Sequence, residues 1–360
     1  MATFREGKVT ETLDQTPSLE RVLVEIDGGV VEALAYTAMT GPVRTGDHVV
    51  VNTTGVELGL GTGGVVFVLW NLDGPGPKPR TEGHIVKLRY TPWQMNVMAA
   101  EAPESPDHET MVSAVELEGT PVVACSLHSQ VPAVAAGIKA TAPDARIGYL
   151  MTDAGALPLV FSKLVSLLRD AALIDVTCTS GHSFGGDLES VNVFGGMLAL
   201  RHAAHCDAIV VAMGPGSVGT GTPFGYSGIE QGQALDAATA LGGRAIAALR
   251  ISFDDRRERH QGISHHSLTA LKVAARERCI VAVPKLEPSR SRTIETQLRD
   301  SGICDIHETR VADGRAGVGL LEQKQLRPTS MGRTMAEAPE LWLAAASAGA
   351  IAGETLADHG

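Results

Sequence analysis

The chain has 360 residues, 44% of them apolar and only 4% aromatic, and a formal charge of −11. That length allows about two domains with separate cores, and the apolar share excludes a disordered chain. The acidic balance, with no lysine- or arginine-rich block, excludes the basic stripe by which nucleic-acid binders displace counterions.

The opening "MATFREGKVTETL" has no apolar stretch of the signal-peptide kind, and "VVFVLWNL" at 65–72 is too short to span a bilayer. Five scattered cysteines, an odd number, fit reduced thiols. A cytoplasmic protein without membrane contact is therefore expected.

Over the first ninety residues "RVLVEI", "VVEALAY", "DHVVVNTT", "VVFVLW" and "HIVKLRY" alternate apolar and polar residues and are separated by "DGG", "TGD" and "GTGG". Period-two patterning with turn signals predicts strands. Residues 1–100 are read as a small N-terminal β-barrel-like domain. The acidic, proline-containing "AAEAPESPDHET" at 99–110 has no periodicity and marks the boundary.

Beyond it, apolar strands alternate with amphipathic helices over 111–330. Strands are predicted at 121–126, 145–151, 174–179, 207–213, 244–251, 279–284 and 303–308. Helices are predicted near 129–141, 158–172, 188–205, 228–241, 265–277 and 290–301. An alanine-rich helix near 336–351, within 331–360, is expected to pack on this domain. The fold class is α/β, a doubly wound, mostly parallel sheet with right-handed crossovers. In the common strand order the chain reverses between its first and fourth strands, and a ligand crevice opens between their carboxyl ends.

The polar residues sort to that edge. After the first strand comes "CSLHSQ" with His128, and after the second "MTDAG" with Asp153. The third is followed by "CTSGHSFGGDLE" with His182 and Asp187, the fifth by "SFDDRRERHQGISHH" with His260, His265 and His266. The return loops "APDA", "LGG" and "RER" are plain. One face of the sheet therefore carries a site. His202 and His205, at the opposite edge, fit a helix end; Cys206, Cys279 and Cys304 fit inert buried thiols.

The fourth strand leads into "GPGSVGTGTPFGYSG". Its G-x-G-x-x-G is not a dinucleotide fingerprint, because more glycines follow before a helix can start near Ser227 and no acid stands at the required spacing. Nor does a Gly-Lys-Ser/Thr follow. Backbone N–H groups at Gly214, Gly216, Gly219 and Gly221, with Thr220, Thr222 and Ser227 as hydroxyl donors, would favour an anion. The alternative is a structural loop that lets helices approach the sheet.

For the His260–His266 segment three readings stay open: metal binding, acid–base or anion-binding histidines, and surface polarity. His265 and His266 point about 100° apart in a helix. One metal held by all three therefore requires a later helix start than Ser264 as N-cap implies. Asp187, after Gly185 and Gly186, is read as an N-cap and as a candidate ligand for a divalent metal. Zinc on Cys125, His128, Cys178 and His182 is disfavoured, since both cysteines end buried strands.

The phrases "PVVACSLHSQVPAVAAGI", "GHSFGGDLESVNV", "MGPGSVGTGTPFGYSGIEQGQAL" and "RERHQGISHHSLTAL", with "TGPVRTGDHVVVNTTGVELGLGTGG" near the start, resemble a bacterial family, domain of unknown function 3866. The resemblance covers nearly the whole chain. It supports the architecture and implies no activity.

The functional expectation is an enzyme acting on a small phosphate- or carboxylate-bearing metabolite, a hydrolase or transferase without a recognisable catalytic motif. His128, His182 and His265 are the acid–base candidates, with Asp153 to orient them. The glycine loop, His260 and His266 would bind the ligand. No G-x-S-x-G nucleophile signature is present. The alternative is a non-catalytic sensor of a nucleotide-like ligand. Either reading admits a divalent metal and a homo-oligomer.

Overall fold

Apolar residues two apart build the first unit. Val22 and Val24, Ala33 and Ala35, Val49 and Val51, and Val66 and Val68 are all buried and form one core, as expected where alternate side chains point to opposite faces of a strand. The strands that carry them, β1 (Phe4–Gln15), β2 (Leu19–Ile26), β3 (Gly29–Tyr36), β4 (His48–Asn52) and β5 (Val66–Asn71), close into a barrel in the order β1-β2-β3-β5-β4. The computed structural model describes residues 2–60, 63–78 and 82–357.

"HIVKLRY", expected as another barrel strand, stands apart. Its residues form β6 (Ile85–Lys87), which pairs with β7 (Met95–Val97) in a separate two-stranded sheet. The chain divides into a unit of Met1–Glu82 with Leu88–Met95 and a unit of Gly83–Lys87 with Asn96–Gly360. The physical reason is Lys87. Its side chain is 1% exposed, and Nζ donates to Glu189 Oε2 at 2.6 Å and to the carbonyls of Ser183 and Thr179 at 2.5 and 3.1 Å.

The second unit is built on eight strands, β8 (Pro121–Cys125), β9 (Ile147–Thr152), β10 (Val176–Thr179), β11 (Leu188–Glu189), β12 (Ala208–Met213), β13 (Arg244–Ala248), β16 (Ile280–Pro284) and β17 (Glu308–Ala312). Between β13 and β16 lies a small antiparallel pair, β14 (Ile251–Ser252) and β15 (Gly262–Ile263). All ladders of the large sheet are parallel, in the order β11-β10-β9-β12-β8-β13-β16-β17.

Helices cover both faces. Residues from α1 (Val131–Thr141) and α2 (Lys163–Asp170) join one core cluster. Those from α3 (Val193–Leu198), α4 (Glu230–Ala240) and α6 (Pro288–Asp300) join the other, with α5 (His265–Thr269) following β15 between them. After β17, α7 (Arg315–Gln323) and the long α8 (Pro339–Ala357) return to the first face. There α8 meets α1 backbone to backbone: a Cβ at Gly349 would run into the Val134 carbonyl, and one at Gly137 into that of Ala346. Glycine is needed at both crossings.

Several local expectations are corrected. The strand expected at 303–308 is a helical turn, Ile303–Ile306, entered through Gly302 at φ +74°, and β17 begins only at Glu308. The helix expected over 188–205 starts late, because Leu188–Glu189 pair with β10 and Asn192 caps α3, accepting from Gly195 N–H; Asp187 is not its cap. The strand expected over 244–251 stops at Ala248. The order of the sheet also differs from the common one: β12 is inserted between β9 and β8, pairing Ala208 to Ile147 and Ile209 to Val122. The loop carrying Asp153 is thus brought beside the glycine loop instead of stepping away from it. β13, which corresponds to the fifth strand expected from sequence, borders β8 and not β12.

Candidate functional site

Two buried glutamines tie the carboxyl edge of the sheet. Gln231 Nε2 donates to the carbonyls of Ala124 and Ala248, both at 2.8 Å, and Gln130 Nε2 donates to that of Leu249 at 3.0 Å. The loops after β8 and β13 thus start from fixed points. Connections leave β9 and β8 toward one face and β12 and β13 toward the other, so crevices open on each side of β12 and beside β8.

The glycine loop fills the middle of this edge, and it is stitched to itself. Val218 and Ser227 exchange hydrogen bonds, with Val218 N–H donating to Ser227 Oγ at 3.0 Å and Ser227 N–H to the Val218 carbonyl at 2.9 Å. Thr220 Oγ1 donates to the Gly225 carbonyl at 2.9 Å, and Gly225 N–H to Thr222 Oγ1 at 3.1 Å. The three hydroxyls expected to meet a ligand therefore act within the loop. Gly214 lies so close to the loop after β9 that a Cβ would strike the Ala156 carbonyl. Gly216 has φ +94° with open space where a Cβ would be, and Gly221 has φ +79°. Tight turning and close backbone approach both operate here.

One side of the loop faces three histidines. The chain leaves β14, makes a turn at Glu258–His260 and returns through β15. Ser264 then caps α5, its Oγ accepting from His266 N–H at 3.3 Å. The same Oγ lies 2.7 Å from His260 Nδ1. The helix does start early, yet the rings converge, with centroids of His260, His265 and His266 separated by 5.0, 4.2 and 5.1 Å. Contrary to expectation, convergence of the three rings does not need a later helix start. His265 and His266 diverge within the first turn, and His260 comes back to them from the hairpin. One nitrogen from each ring lies within 4.8 Å of the others. Tyr226, from the glycine loop, stacks on His266 at 3.9 Å and 8° and donates from Oη to its carbonyl at 2.7 Å.

Arginines surround this cluster. Arg250 is 7% exposed, and among the described residues its guanidinium has one hydrogen-bond contact, the Met331 sulfur at 3.5 Å. Burial, together with the charges of Arg257 and Arg333, lowers its pKa to about 10. Arg257 is satisfied by Asp255 at 2.9 Å. Arg259 lies 3.9 Å from where a Gly221 Cβ would be. Burial first, then neighbouring positive charge, lowers the pKa of all three histidines, His260 to about 4 and His266 to about 3. The rings are neutral at pH 7.

On the other side of the loop a cavity of about 210 Å³ is lined by Thr152, Asp153, Ser180, Gly181, Asn192 and Glu230. Glu230, in the first turn of α4, accepts from Thr152 Oγ1 at 2.5 Å, and burial plus the Asp153 charge raises its pKa to about 7. A carboxyl group poised there can give or take a proton near neutrality. Asp153, one of the expected residues, lines this cavity, and its Oδ2 accepts from the backbone N–H of His182 at 2.9 Å. Nothing in the sequence around Glu230 distinguishes it from any helix-start glutamate.

His128 lies at the base of the glycine loop, but its nitrogens are engaged. Nε2 is 2.6 Å from Ser162 Oγ, and Nδ1 is 3.1 Å from Tyr149 Oη and 3.2 Å from the Met213 carbonyl. Burial lowers its pKa to about 4. It joins the ends of β8, β9 and β12. Asp187 accepts from Arg169 at 2.6 Å and from Thr177 N–H and Oγ1 at 2.8 and 2.9 Å, an ion pair away from both clusters. Cys125 and Cys178 are buried with raised pKa values and act as apolar filler. Cys304, expected to be buried, is exposed.

One family model, described as protein of unknown function (DUF3866), matches residues 32–349. The chain belongs to this family. No curated protein matches it. The DUF3866 region begins within β3, leaving out β1 and β2 of the barrel, and spans the whole carboxyl edge of the sheet, so both clusters beside the glycine loop lie within it.

Proposed function

We propose that this DUF3866 protein binds and turns over a small phosphate- or carboxylate-bearing metabolite at the carboxyl edge of the parallel sheet, between the glycine loop and the histidine cluster. The observation that carries the reading is Arg250. A buried guanidinium keeps its charge, and burying an unpaired charge is costly unless a counter-charge completes it. The carboxylate whose charge acts on it, Asp255, is already hydrogen-bonded to Arg257. An oxyanion beside Arg250 would supply the missing partner. The Arg250 charge acts on all three neutral imidazoles, and Glu230 offers a proton-transfer group at the same sheet edge.

The five unpaired cysteines fit work in a reducing cytoplasm, and no helix among the described residues is long and apolar enough to cross a membrane. Thermal-shift screening of phosphorylated and carboxylated metabolites, followed by turnover assays on the hits, tests the proposal. Arg250→Met should weaken any hit by roughly 10- to 150-fold, the range for a hydrogen bond to a charged group. Hits unaffected by Arg250→Met would remove the basis of the reading. Binding without turnover would leave the sensor function in its place.

A further inference from the structure

We infer that His260, His265 and His266 form a three-histidine site for a divalent first-row transition metal of the zinc type, with a fourth position open toward the glycine loop. Three imidazole nitrogens with one coordination position left free is the donor set of a catalytic zinc centre. Here the three ring nitrogens lie within 4.8 Å of one another, close enough for one ion to touch all three after small ring rotations.

Two independent observations favour a ligand at this point. His265 Nε2 is buried without a hydrogen-bond partner among the described residues, an arrangement that folded proteins rarely leave unexplained. His260 Nδ1 is meanwhile held by Ser264 Oγ at 2.7 Å. With Nδ1–H donating to that oxygen, Nε2 keeps its lone pair for a metal, the outer-shell arrangement that fixes tautomer and ring direction. Tyr226 holds the His266 ring from its other face.

The same arginines oppose a bare cation. They favour one whose open position carries hydroxide or an oxyanion, within reach of Arg250. The metal assignment stands apart from the anion reading, because metal uptake is measured with no organic ligand present.

The test uses the full chain, stripped with a chelator and titrated with Co²⁺ at mildly alkaline pH. The expected result is a single Co²⁺ per chain with the intense visible d–d bands of a four- or five-coordinate ion, no thiolate charge-transfer band, and displacement by Zn²⁺. His265→Gln and His266→Gln should each weaken binding by at least roughly a hundredfold, and Ser264→Ala by about tenfold, the range for an outer-shell partner. Circular dichroism checks each variant's fold; should a variant unfold, the wild-type spectrum decides alone. Weak octahedral absorption at saturating Co²⁺, a thiolate band, or undiminished affinity in folded His265→Gln would each overturn the inference.

Discussion

Glu230→Gln is the perturbation whose outcome the structure defines most closely. The wild-type carboxyl has a folded-state pKa of about 7 against an ordinary 4.5, because it is buried beside Asp153, with Thr152 Oγ1 offsetting part of the shift. Between those two values the folded protein binds a proton that the unfolded chain has released, so stability falls as pH rises. Each pKa unit corresponds to about 1.4 kcal/mol. The group's contribution, fully present below pH 4.5, is thus lost by about 3 kcal/mol once pH passes 7. Water in the adjoining cavity will reduce that figure. Tyr149, whose own pKa is raised partly by Glu230, stays neutral throughout the window. Glutamine keeps the acceptor for Thr152 and abolishes the titration. Urea unfolding of wild type and variant from pH 4.5 to 8 should give a difference near zero at the acid end. At pH 8 the variant should be about 1–3 kcal/mol more stable, several degrees in Tm. Parallel profiles for the two proteins would refute the reasoning that places this carboxyl in a raised state.

Gly219→Ala places a methyl 3.7 Å from His266 Cε1 at ordinary contact distance, so Tm should hold while metabolite binding falls. Gly216→Ala, at φ +94° with open space around it, should lower stability by about 1–2 kcal/mol through backbone strain. Equal losses of binding and stability in both variants would make the loop purely structural. Lys87→Met strands Glu189, which also accepts from Thr179 Oγ1 at 2.6 Å and Gly185 N–H at 2.7 Å. Denaturant unfolding should show a loss of about 3–5 kcal/mol, with much of it restored by Lys87→Met/Glu189→Leu. A near-neutral Lys87→Met would show that this pair does not anchor β6.

The strands were legible where local pattern decides them. Val49 and Val51 alternate because one barrel face is wet, and "AIVVAM" is continuous because a parallel strand is buried on both faces. "ICDIHE" misled because its apolar residues serve a helical turn, while the true edge strand "ETRVA" buries only Ala312. Strand order had no local signal, since the insertion of β12 between β9 and β8 depends on packing across the whole sheet. The gathering of chemistry at one edge was readable from loop composition. The meeting of His260 with His265 was not, because five-residue spacing fits no helical face and the hairpin that closes it is a two-residue ladder. Glu230 and Lys87 were silent for a related reason: their importance comes from burial against residues distant in sequence.

The most direct measurement of the central claim is the anomalous scattering of a crystal soaked with tungstate, a heavy oxyanion with the shape of phosphate. The account places a peak within hydrogen-bonding distance of the Arg250 guanidinium, bordered by His266 and the glycine loop, that vanishes in Arg250→Met. Tungstate ordered elsewhere with that position empty, or a peak indifferent to Arg250→Met, would contradict it.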